Sequence, residues 1–131
     1  ASSRTCSGER PGASKAAVNV LSESLRVEAQ GKIKVTVVKP TGVPGTGLGA
    51  GVINQQAIVG ILGQNAGAYL GRMAAIAGGH PEAGELDPQS IRYAALTPND
   101  IAEQIIYAID QPWGISIGDI TVRAAGDGYI L

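Results

Sequence analysis

Two rhythms of apolar and polar positions run along the chain. From Lys15 to about Ala29 the apolar residues return at helical spacing. Ala17, Val18, Leu21 and Leu25 form one stripe, widened by Val20 and Val27. Ser14 precedes it as a candidate N-cap and Gly31 follows as a natural stop. So wide a face predicts burial on more than one side, against a sheet or a second subunit. From Lys32 to Val38 the period drops to two: Ile33, Val35 and Val37 alternate with Lys34 and Thr36, which predicts a strand. Pro40 is expected to end it, and "PTGVPGTGLGAG" is too rich in Gly and Pro for regular structure. Residues 1–12 are polar, broken by Gly8, Pro11 and Gly12, and read as loop.

The second half repeats the order. In "LTPNDIAEQIIYAIDQP" Thr97 is placed to cap, Pro98 takes the first helical position and Asp100 lies in the first turn. Ile101, Ile105, Ala108 and Ile109 make the stripe of a helix over about 99–110, which Pro112 ends. A strand is predicted from Ile115 to Arg123, and a turn after it. Between the halves, residues 49–95 are apolar but interrupted by glycines, enough for one or two short helices and a polar loop at "HPEAGELDP". Helix–strand alternation predicts an α/β fold with the two strands as parallel neighbours. Two strands alone do not make an independent parallel sheet. The chain is therefore expected to be the back half of a larger α/β domain, a single partial domain over 1–131. Its parts would be a loop–helix–strand–loop unit at 1–48, a variable region at 49–95 and a closing helix and strand at 96–131.

Composition narrows the function. A net charge of −1 gives no basic surface for nucleic acid, and no apolar run is long enough for a bilayer. Cys6 is the one cysteine, which excludes an internal disulfide and points to a reducing, cytoplasmic setting. The 19 glycines and the lack of phenylalanine predict many tight turns and a core of Ala, Val, Ile and Leu. The chain starts without methionine, so a processed product or a fragment is expected.

"GASKAAVNVLSESLRVEAQGKIKVTVVKPTGVPGT" resembles the catalytic and following segment of the short-chain dehydrogenase/reductase family. There a Tyr-x-x-x-Lys motif opens a long helix, and a strand and a Pro-Gly-x-Val-x-Thr loop follow. "LTPNDIAEQIIYAIDQPWGISIGDITVRAAGDG" is similar to that family's last helix and strand. The nearest flavour is the broad-specificity NADP-dependent alcohol dehydrogenases and carbonyl reductases. The resemblance implies the carboxyl-terminal part of a Rossmann-like, doubly wound parallel sheet, and hydride transfer between NADP or NAD and a small alcohol/carbonyl substrate, in a homodimer or homotetramer. It implies that Lys15 contacts the nicotinamide ribose and lowers the tyrosine's pKa. It assigns Pro40, Thr41, Val43 and Thr46 to the cofactor cleft, and Ser3, or Ser2, to polarisation of the substrate carbonyl.

The chain departs from the pattern at telling places. Pro11 occupies the expected tyrosine position, and Ser3 lies closer to it than the family's serine does. The Gly-rich turn that holds a dinucleotide pyrophosphate is missing, since Gly45 to Gly51 follow a loop rather than a strand. By itself the chain is expected to be inactive. A non-catalytic binding or oligomerisation module is the alternative. Elsewhere His80 reads as a surface residue and Cys6 as a free thiol. Trp113 is expected to pack between the last helix and strand, and Tyr69, Tyr93 and Tyr107 to serve packing. Tyr129 is a remote candidate proton donor. Asp119 and Asp127 have no carboxylate partner at a readable spacing.

Overall fold

Thr97, Pro98 and Asp100 do what their order predicts. In the computed structural model, which describes residues 10–47, 51 and 55–128, they open a helix at Pro98–Ile109 with a complete capping box. The Thr97 side chain accepts from the Asp100 N–H, and the Asp100 carboxylate accepts from the Thr97 N–H at 2.7 Å. In chain order the elements are α1 (Arg10–Glu28), β1 (Val37–Pro40), α2 (Gln55–Leu62), α3 (Ala66–Ala77), α4 (Pro98–Ile109) and β2 (Asp119–Val122), with a short 3-10 turn at Gly63–Asn65.

The strands β1 and β2 pair in parallel, Val37 opposite Asp119 and Pro40 opposite Val122. This is the pairing expected, in a small open sheet of mixed helix and strand. The strands are shorter than the alternation suggested. Lys32–Val38 was the expected span, yet residues 32–36 lie outside the ladder, and residues 115–118 do so opposite them. Side chains bridge the two segments there instead. The Lys34 ammonium donates to the carbonyls of Gln111, Pro112 and Ile115, and the Thr36 hydroxyl to that of Ile117 at 2.7 Å. These bonds tie the two segments together where no backbone pairing forms. At the other end Pro40 belongs to the strand rather than ending it. The N–H groups of Val37 and Thr41 donate to the carbonyls of Gly118, just before β2, and Val122, at its end, so the alternate residue, Pro40, faces the edge left unpaired among the described residues, where its missing donor breaks no bond.

The helix α1 starts earlier than expected. It takes in residues 10–12, read from sequence as loop, and places Ser14 inside the helix rather than at its cap. Pro11 falls in the first turn, where a missing N–H costs no intrahelical bond. At the other end Gly31, at φ 79°, turns the chain where the pattern put a stop.

The core is small and lies beside the carboxyl ends of the strands. Tyr93, Leu96 and Ala124 form it, with Val43, Ala95, Ile101 and Val122 packed against them. Leu62 and Ala66, at the join of α2 and α3, are also buried. The apolar stripe of α1 is not. Val18, Leu21 and Leu25 are exposed within the chain, Leu21 at 68%. The helix instead turns Asn19, Ser22, Glu23 and Arg26 to an open groove of about 410 Å³, whose far wall is Val35, Val37, Lys39, Gly118 and Asp119. Among the described residues the stripe is therefore not buried against the sheet as expected.

Candidate functional site

The carboxyl ends of parallel strands are where ligands of open α/β sheets bind. Here that end is a closely bonded polar cluster. The Thr41 N–H donates to Val122 O at 3.0 Å, and its hydroxyl donates to Asp127 Oδ2 at 2.5 Å. The Asp127 side chain is 3% exposed, and its other oxygen lies 3.7 Å from Arg123 Nη1. Arg72 of α3 donates to the Gly126 carbonyl, and its Nε lies 2.9 Å from Glu85 Oε1. That contact is an ion pair without hydrogen-bond alignment. Glu85 is buried to 2% exposure, and its second oxygen accepts the Glu82 N–H at 2.7 Å. Asn65 reaches the Gly128 carbonyl at 2.9 Å.

Gly126 makes this packing feasible. Its N–H donates to Tyr93 O at 2.8 Å, and a Cβ there would lie 2.6 Å from Arg92 O. Only a residue without a side chain allows the approach. Next to it, Tyr93 donates its hydroxyl to Asp100 at 2.8 Å. Burial first, and then the Asp100 carboxylate, push the Tyr93 phenol up to about 12. Asp100 is held below the usual carboxylate value by the Thr97 N–H first, and then by Tyr93 and the Thr97 hydroxyl.

The residues expected to form a cofactor site are only partly gathered here. Pro40, Thr41, Val43 and Thr46 follow one another at the end of β1. Val43 packs on the core, and the Thr41 hydroxyl is committed to Asp127. Thr46 is exposed and donates to Val43 O at 3.0 Å. Lys15 is exposed on α1 and has no part in the cluster. Pro11 lies in the first turn of α1. Ser2, Ser3, Cys6 and Tyr129 lie outside the described residues.

Several expectations are corrected. Trp113 does not pack between α4 and β2; it is 75% exposed, with the Lys34 ammonium 5.3 Å from its ring centre. Lys34, held by three carbonyls, is the ring's cation–π partner. Tyr107 is exposed rather than packed, because it sits on the solvent side of α4. Tyr93 packs as expected, and His80 is exposed. Asp119 pairs with Lys39 at 2.5 Å, across the ladder. Sequence reading missed Arg72, Glu85, Arg123 and Asp127 as a group. Their spacing has no period, and the one hint was a run of Gly and acidic residues at 82–87, read as an open polar loop.

Among the described residues no cluster of three or more His, Cys, Asp or Glu could hold a metal ion, and no helix is long and apolar enough to cross a membrane. Compared with known proteins, the chain matches no family model, no curated protein and no solved structure.

Proposed function

We propose that the chain is the cofactor-loop and closing-strand part of an oxidoreductase of the short-chain dehydrogenase/reductase type, acting on an alcohol/carbonyl pair with NADP or NAD. One observation carries the reading. A parallel strand pair is joined through a capped helix, and its first strand runs at its carboxyl end into the Gly/Pro-rich loop from Pro40 to Gly47. That order and that position are what the resemblance implies, and parallel pairs of this kind belong to wider, covered sheets.

The fit to a dinucleotide is incomplete. Among the described residues no strand leads through a tight Gly-rich turn directly into a helix, the arrangement that would hold a pyrophosphate. Pro11 has no hydroxyl to give a proton, and its φ is fixed by its ring. Bound nicotinamide would supply the hydride. Among the described residues, Pro40 and Thr46 could supply walls of the cleft, and Lys15, exposed on α1 and apart from the strand-end cluster, is where the resemblance puts the cation.

Turnover tests this reading. The unaltered chain should oxidise no NADPH with an aromatic ketone or aldehyde. Pro11→Tyr alone should not change that. Pro11→Tyr together with an added amino-terminal dinucleotide-binding half should restore activity, because a lost general acid costs about 10²–10⁴-fold. Robust turnover by the unaltered chain would show that the catalytic residues lie elsewhere. No turnover by the restored protein would sink the family reading.

A second reading, an oligomerisation module, is favoured by the exposed stripe of α1. Lys15, Val18, Leu21, Leu25 and Glu28 succeed one another at three- and four-residue steps on one side of the helix. An antiparallel two-fold crossing near Leu21 sets Val18 of one copy against Leu25 of the other, and Lys15 against Glu28. The stripe is self-complementary in charge and in apolar surface, as an isologous interface requires.

A further inference from the structure

We propose that the Gly126–Asp127 turn is a latch that couples the loop after β1 to the helical segment around α3. The two neighbouring residues each hold one arm. On one side Asp127 takes the Thr41 hydroxyl at 2.5 Å, in a carboxylate 3% exposed. On the other side the Gly126 carbonyl takes Arg72, which α3 presents, and Arg72 is paired in turn with the buried Glu85.

The turn has little room to move one arm without the other. The Gly126 N–H is bonded to Tyr93 O at 2.8 Å, and the backbone there is close enough that a Cβ would lie 2.6 Å from Arg92 O. The carbonyl that Arg72 holds and the N–H of Asp127 belong to one rigid peptide plane. A backbone rotation of the turn that carries the Asp127 carboxylate away from Thr41 therefore tilts the acceptor of Arg72 as well. Both arms include an ionised partner, so each is worth more than a neutral hydrogen bond and opening either has a measurable cost. The latch is closed in the structure. Any event that draws the Thr41 loop away, such as a ligand at the strand ends, loosens α3 and the 82–94 run. The inference is independent of the chemistry proposed above, and its test uses no cofactor.

Amide hydrogen exchange, followed by NMR on the full chain, decides it. Thr41→Val keeps the shape and removes the hydroxyl. It should speed exchange across residues 66–77 and 82–94 by roughly tenfold, although Thr41 bonds to neither segment. Thr41→Ser, which keeps a hydroxyl, should leave the wild-type pattern. Coupling is reciprocal, so Arg72→Met should speed exchange of the Thr41 amide, which donates to Val122 O. Acceleration confined to each variant's own segment would overturn the latch. So would equal effects of Thr41→Val and Thr41→Ser. Should Thr41→Val fail to fold, the Arg72→Met arm decides alone: an unchanged Thr41 amide refutes the coupling and a faster one supports it.

Discussion

The helix α1 and the strand-end cluster are two opposite uses of the same chain. Around Tyr93, Leu96, Ala124 and Asp127 nearly every group has a partner, and the apolar residues are covered by α4, β2 and the loop after β1. Along α1 the apolar stripe is as clear in sequence, yet Val18, Leu21 and Leu25 meet solvent. Periodicity announces which side of a helix wants cover; it does not say that the cover is in the same chain. The cluster is closed on itself, and the apolar stripe of α1 has no such cover among the described residues.

Substitutions should separate the two regions by size of effect. Leu96, 4% exposed, is a core residue, and Leu96→Ala should cost about 2–5 kcal/mol in denaturant unfolding. A smaller cost, about 1–3 kcal/mol, is expected of Gly126→Ala, because the added methyl meets the backbone of Arg92. A loss within about 0.5 kcal/mol for either change would mean that the cluster is loose. Thr97→Ala removes the cap of α4 and one bond to Asp100, for about 1 kcal/mol.

The titration of the cluster gives a finer reading. The Tyr93 phenol is raised in the folded protein from 10.0 to about 12, so the folded state favours the protonated form. That contribution is present below pH 10 and is lost as pH rises through about 12. Asp100 is lowered from 3.8, so its contribution is present above that value and is lost as pH falls through its depressed pKa. Tyr93→Phe should flatten the alkaline limb of a thermal-unfolding pH profile. An alkaline loss unchanged in Tyr93→Phe would place its cause elsewhere. The smallest effect belongs to α1. Leu21→Ala should change the stability of the isolated, dilute chain by no more than about 0.5 kcal/mol. A loss of several kcal/mol there would erase the contrast.

What was legible in the sequence follows the same division. The capped helix at 98–109 reads from Thr97, Pro98 and Asp100 because its signals are local. The parallel pairing follows from the helix between the strands. Strand length did not read: where alternation predicts backbone pairing, the segments are tied by the side chains of Lys34 and Thr36. The cluster of Arg72, Glu85 and Asp127 did not read either, because its partners are far apart in the chain and carry no repeat. Trp113 was misplaced for a related reason: its neighbour Lys34 comes from the other strand's approach, beyond any local pattern.

Sedimentation velocity over micromolar concentrations tests most directly whether α1 is an interface. The chain should sediment as a dimer. Lys15→Glu should weaken the dimer by setting like charges against each other, and Lys15→Glu combined with Glu28→Lys should restore it. A single monomeric species at every concentration, or a dimer indifferent to both variants, would contradict the account.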